Sequence, residues 1–217
     1  SGDCVFLGEV GLDGSIRPIP GILPAVKAAA DAGHSRVVVP AQNMHEAALI
    51  PGIQVSGFRC LAEIFVALGA SAENLKYPPE SVREQPTAEI PEHGIPSDMS
   101  DVAGQAQGRF ALEIAAAGGH HLLFTGPPGS GKTMLAERLP SILPPLDDDA
   151  AMEVTAIRSL TAGGTPLREL VRTPPFEAPH HSASAPAILG GGSGIPRPGC
   201  VSKAHRGVLF LDEAPEF

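Results

Sequence analysis

"TGPPGSGKTML", residues 125–135, decides how this chain is read. Its eight central residues, Gly126, Pro127, Pro128, Gly129, Ser130, Gly131, Lys132 and Thr133, satisfy the pattern G-x-x-x-x-G-K-[ST]. Glycines let the backbone curl so that successive N–H groups point inward as an anion nest, and a following helix adds the positive end of its dipole. Lys132 is then placed to reach the β and γ phosphates of a nucleoside triphosphate such as ATP, and the Thr133 hydroxyl to ligate Mg²⁺. The surroundings suit such a loop. "HLLFT" (121–125) reads as a buried strand leading into it, and a helix is expected from Lys132 until Pro140 stops it. Upstream, the text from about Gln105 to Ala117 reads as a helix ended by Gly118 and Gly119.

The partner of a phosphate loop is an acidic strand end, and "GVLFLDEAPEF" (207–217) supplies one. The apolar run Val208 to Leu211 predicts a buried central strand, which delivers Asp212 at its C-terminal end, where open α/β sheets bind ligands. Asp212 would hold the magnesium through water, and Glu213 would polarise the attacking water in phosphoryl transfer. Alone, an apolar run ending in "DE" is an ordinary strand end. Behind a complete phosphate loop it becomes the second half of a hydrolytic site.

Composition narrows the class further. With 217 residues, 43% of them hydrophobic, the chain can bury one large core or two small ones. The net charge of −9 does not advertise nucleic-acid binding, although a local basic loop could still provide it. Cys4, Cys60 and Cys200 are far apart and odd in number, which fits reduced thiols better than a disulfide framework. No charged-then-apolar leader and no apolar run of about 18 residues is present, so the cytoplasm is the expected compartment and no membrane partner is expected.

Residues 4–70 read as short strands and helices punctuated by glycine and proline. "CVFLGEVGLDGSI" carries a hairpin signal around Gly11, Asp13 and Gly14, and "ILPAVKAAADAG" a helix capped by Gly33. "RVVVP" is expected as a buried strand ended by Pro40, "NMHEAALI" as a short helix capped by Asn43, and "CLAEIFVALG" as a helix ending at Gly69. From Lys76 to Ser97 five prolines and few apolar residues replace this pattern. Such a segment buries too little to offset the entropy of ordering, so residues 76–97 are expected to link a domain at 1–75 to one at 98–217.

Several blocks together resemble one family. "SDVAGQ" with "ALEIAAAGGHHLLFTGPPGSGKT", then "APHHSASAPAILGGG", "PRPG" and "AHRGVLFLDEAPEF" are similar to the AAA+ ATPases of the magnesium-chelatase-like group. The resemblance covers almost the whole chain and implies an α/β fold: the first part of an AAA+ P-loop NTPase core, from Walker A to Walker B. It implies ATP and Mg²⁺ as cofactors, self-association into a ring, a hexamer in the family, and motion along branched or single-stranded DNA. It puts Val102 and Gln105 near the adenine. It also makes Pro179–Arg206 contain an insertion facing the ring's pore. There Gly190, Gly191, Gly192 and Gly194 argue for a mobile loop, and Arg197, Lys203 and Arg206 for contact with a phosphate backbone. The family usually has an acidic residue at Cys200 and an apolar one at Lys203, so this chain is the more basic there. His120-His121 and His180-His181 do not read as metal sites, because neighbours on a strand point to opposite faces.

The first region has its own resemblance. "GEVGLDGSIRPIPGILPAVKAAADAGHSRVVVPAQN" looks like the C-terminal part of a Lon protease domain, an α+β fold of the ribosomal S5 kind. The catalytic lysine of that family would fall at Ala25. Lys27 lies two residues later, turned about 200° around a helix. No serine segment matches either, so Lon-like architecture without peptidase chemistry is expected. An AAA+ motor also needs a polar sensor, an arginine finger and a helical lid, none of which the residues up to Phe217 supply. The chain is therefore expected to bind nucleotide but to hydrolyse it poorly alone, since an arginine finger is worth about 10³–10⁵ in turnover.

Overall fold

The computed structural model describes residues 3–78, 97–161, 167–192 and 196–217. Contacts divide the chain into two units: Ser1–Ile90 with Thr155–Leu170, and Pro91–Val154 with Val171–Phe217. The expected linker at 76–97 lies mostly outside the described residues.

In the first unit, β1 (Cys4–Phe6), β4 (Arg36–Pro40) and β5 (Gln54–Phe58) form a parallel sheet of order β1-β4-β5. β4 is the middle strand, paired along both edges, and its Val37 and Val39 are wholly buried. β2 (Glu9–Val10) and β3 (Ile16–Arg17) make a separate antiparallel pair. Its turn is tied by Asp13, whose carboxylate accepts from the Ser15 backbone N–H at 3.0 Å and the Ser15 hydroxyl at 2.6 Å. The hairpin thus forms around the expected glycines, but the first apolar run splits. Its Cys4–Phe6 half joins the parallel sheet instead, beyond the break at Gly8.

Helix α1 (Ile22–Asp31) turns Ile22, Leu23, Val26 and Ala29 onto one buried face. It ends as expected at Gly33, φ 86°, where the Gly33 N–H reaches Ala30 O and the His34 N–H reaches Ala29 O, the bond pair of a Schellman cap. Lys27 pairs with Asp31 at 2.9 Å on its exposed side. α2 (Met44–Ala47) follows a 3₁₀ turn, and α3 (Leu61–Ala67) stops before Gly69 as expected. Asn43 does not cap α2. Its buried amide instead accepts from the Ile19 N–H at 3.0 Å and donates to Ile19 O at 3.2 Å, satisfying a peptide in the loop before α1.

In the second unit, Asp98 and Asp101 cap a 3₁₀ turn at Met99–Asp101 reciprocally. Helix α4 (Ala106–Gly118) follows and ends at Gly119, φ 63°, as expected. α5 (Lys132–Arg138) passes into a 3₁₀ turn, Leu139–Ile142, that contains Pro140. Met99, Val102, Leu112 and Leu135 form the core between these elements, with Phe124, Met134, Leu139 and Ile142 against it. α6 (Asp148–Thr161), which belongs to this unit up to Val154, has Asp147 at its start, whose carboxylate accepts the Ala150 N–H at 2.8 Å. After it come β6 (Phe176–Glu177), α7 (Ala185–Leu189), α8 (Cys200–Lys203) and β7 (Val208–Leu209), with β6 and β7 parallel.

Two strand expectations are corrected here. Residues 121–125 form no strand among the described residues, and Leu122 and Leu123 are 41% and 78% exposed; only Phe124 turns to the core. An extended apolar run becomes a strand only where a neighbour completes its ladder. For the same reason Val208–Leu211 is not a buried central strand. β7 spans two residues with β6 on one side, and Leu209 and Leu211 remain exposed.

Among the described residues, two of the glycines near 190 make close backbone contacts. Gly191 and Arg197 exchange two backbone hydrogen bonds of 3.0 and 3.2 Å, and a Cβ at Gly199 would meet Gly190 N at 2.3 Å. There glycine permits close backbone approach. Gly194 lies outside the described residues.

Candidate nucleotide site

All the candidate site residues fall in the second unit. The loop from Gly126 to Gly131 turns with Gly129 at φ 76° and Gly131 at φ 84°, a region that only glycine enters without cost. The Lys132 ammonium folds back over it and donates to Gly126 O at 3.1 Å and Pro127 O at 3.0 Å. The neighbouring Thr133 hydroxyl donates to Asp212 Oδ2 at 3.0 Å, although the two residues are 79 apart in sequence. This is the contact that unites the two motifs: the β6–β7 ladder carries Asp212 to the start of α5.

Glu213 follows Asp212 at φ 56°, its N–H donating to Asp212 Oδ1 at 3.1 Å. Its carboxylate meets His181 Nδ1 at 3.0 Å. His181 in turn lies against His180, ring centroids 4.1 Å apart, and His180 Nδ1 accepts from the Ser182 N–H at 3.2 Å. These rings sit together because the segment after β6 is a turn, so the strand argument for opposite faces does not govern them. The histidine pair was visible in the sequence, but its contact with Glu213 was not, since His181 and Glu213 lie 32 positions apart in the chain.

The remaining candidates divide. Val102 is only 3% exposed and its side chain belongs to the core, while its carbonyl accepts from Arg109 Nη1 at 3.3 Å. Gln105, at φ 53°, donates from Nε2 to Ser130 O in the phosphate loop at 3.0 Å. Of the three basic residues near the insertion, Arg206 is already paired: its Nε donates to Glu153 at 2.9 Å, and His205 Nε2 contacts the same oxygen at 2.9 Å. Those two partners hold the Glu153 carboxyl down to about 2. Among the described residues no group of three or more His, Cys, Asp and Glu is placed to share a metal ion.

Comparison with known proteins identifies the family. The family model described as magnesium chelatase, subunit ChlI, matches residues 98–217. The chain belongs to the magnesium-chelatase ChlI family. A second ChlI model matches residues 1–43, so the magnesium-chelatase-like likeness extends into the first unit. An uncharacterized protein of Mycobacterium tuberculosis is 52% identical over 98% of the chain and 41% of its own length. YifB of Escherichia coli is 44% identical, and the competence protein ComM of Haemophilus influenzae 41%, each over 98% of this chain and 40% of the relative. The chain thus spans about two fifths of these relatives. Partial matches reach Lon protease 2, at 34% over 134 residues, and the DNA repair protein RadA, at 43% over 61, both of Bacillus subtilis. No helix among the described residues is long and apolar enough to cross a membrane.

Proposed function

We propose that this chain is the ATP-binding portion of an AAA+ motor that drives branch migration of DNA in the cytoplasm during transformation and recombination. The observation that carries the reading is the Thr133–Asp212 contact of 3.0 Å, which joins a phosphate loop to an acidic strand end. Gly126 to Lys132 cradle the triphosphate, and Lys132 exchanges its loop carbonyls for the β and γ phosphates. Val102 and Gln105 complete the site from the segment before α4. The hydroxyl of Thr133 and the carboxylate of Asp212 are hard oxygen donors side by side, the donor type that suits Mg²⁺. Held by Thr133 and Asp212, Mg²⁺ would supply charge neutralisation to the phosphate oxygens. Glu213 orients and deprotonates the attacking water once its carboxylate leaves His181.

The DNA substrate rests on the similarity to ComM, and the ring, a hexamer, on the AAA+ relationship. A second reading has its own support: both matching family models are described as chelatase subunits, which favours a motor that remodels a metal-inserting protein. The match at residues 1–43 removes the first unit as an argument between the two. Either way, Lys132→Ala should abolish ATP binding by this chain, measured by equilibrium titration; unchanged affinity would overturn the site. ATP turnover by a version extended to the length of the relatives, with and without four-way DNA junctions, separates the substrates. Stimulation by junctions supports the DNA motor, and indifference to DNA supports the remodelling reading.

A further inference from the structure

We propose that Gln105 is a positioning residue that sets the phosphate loop through its backbone. The inference rests on the phosphate-loop reading of residues 126–133. The Gln105 carboxamide donates to Ser130 O at 3.0 Å, and it packs so closely that a Cβ on Gly131 would lie 3.2 Å from Nε2. Because a trans peptide is planar, its carbonyl and the following N–H point in opposite directions. Holding Ser130 O on the Gln105 side therefore turns the Gly131 N–H to the other side. Among the described residues that N–H has no acceptor, so it is a donor free for an anion.

The strut itself is braced at both ends. Val102 is seated in the core, and Arg109 grips the intervening turn twice, Nη1 to Val102 O at 3.3 Å and its own N–H to Gln105 O at 2.9 Å. Gln105 is held at φ 53°, a conformation rare outside glycine and asparagine, and this is what aims its side chain at the loop. Its amide is spent on the protein, so its effect on a ligand passes through the Ser130–Gly131 peptide. A phosphate chain should feel the loss of Gln105 whatever base it carries.

The test compares Gln105→Met, which keeps the volume and cannot donate, Gln105→Glu, which cannot donate and adds negative charge, and Lys132→Ala. Each is titrated with Mg²⁺ and fluorescent ATP, and with tripolyphosphate as a competitor that has no base. Gln105→Met is expected to weaken ATP and tripolyphosphate by the same factor, about 3- to 10-fold, as for one hydrogen bond. Gln105→Glu should weaken both further, and the melting temperature without nucleotide should stay at the parent value for Gln105→Met. Weakening of ATP with tripolyphosphate unchanged would overturn the proposal, because the side chain would then read the nucleoside. Unchanged binding in Gln105→Met beside lost binding in Lys132→Ala would overturn it while leaving the phosphate loop standing. Unchanged binding in Lys132→Ala as well would remove both. A lowered melting temperature in Gln105→Met with equal loss of all binding would make Gln105 a packing residue and also overturn it.

Discussion

Replacing Gly207 by alanine should damage the acidic half of the site without touching a candidate functional residue. Gly207 precedes β7, and a Cβ there would lie 2.1 Å from Pro175 O and 2.6 Å from Pro175 Cδ. The carbonyl cannot swing aside freely, because it accepts the Val208 N–H at 2.8 Å, the first bond of the β6–β7 ladder. Overpacking costs about 1–3 kcal/mol. Weakening the ladder bond adds about 0.5–1.5 kcal/mol. The sum, roughly 1.5–4.5 kcal/mol, corresponds to a melting temperature lower by about 3–18 °C for a chain of this size. The shifted ladder would also carry Asp212 away from Thr133, so the Mg²⁺ dependence of ATP affinity should weaken in parallel. Thermal unfolding followed by circular dichroism, with ATP titrations at several Mg²⁺ concentrations, reads both effects. A Gly207→Ala variant with the parent's melting temperature and Mg²⁺ dependence would refute the close approach of Gly207 to Pro175 and the role given to the ladder.

Three further outcomes follow from single groups. Burial raises the Glu46 carboxyl above its ordinary range, outweighing hydrogen bonds from Ser159, Leu167 and Asn43 that lower it, so the stability it permits is full below the ordinary value of 4.5 and falls as pH rises through the raised folded value. Glu46→Gln should therefore remove part of the alkaline-side decline in the denaturation midpoint; an identical pH profile would contradict the burial of this acid. Glu153 is the opposite case, held down to about 2 by Arg206 and His205, so its stabilisation is present above about 4.5 and lost as pH falls through about 2. Acid unfolding of Glu153→Gln should lack that component, and an unchanged acid limb would show the contact to be idle. In a version extended to the length of the relatives, Glu213→Gln should keep ATP affinity and lose about 10²–10⁴ in turnover, the usual worth of a general base; a parental rate would remove Glu213 from the chemistry.

What could be read from the sequence was local. Glycine with a specific dihedral demand announces itself, so the loop at Gly126–Gly131 and the caps at Gly33, Gly69 and Gly119 were legible. So was β4, the middle strand of its sheet, whose Val37 and Val39 are wholly buried. The misreadings concern partners distant in the chain. "HLLFT" and "VLFLD" have strand composition, but composition says nothing about whether a neighbour completes the ladder. Asn43 had the chemistry of a cap and went instead to Ile19, where an otherwise orphaned buried peptide offered more. α6 was missed because its apolar periodicity is weak, although Asp147 stood at its head. Family resemblance singled out Gln105 as a candidate, whereas its hold on Ser130 depends on a three-dimensional turn.

The leucines at 122 and 123 bear on how the chain behaves in company. Residues 121–125 carry backbone donors and acceptors without ladder partners among the described residues, beside two large side chains in water. That is the template from which strands of separate molecules stack, and no charge or proline interrupts it between His121 and Thr125. Crowding rather than heat is then the first enemy of this protein in the tube: turbidity should climb with concentration well below the unfolding transition, and a lysine at position 123 should clear it.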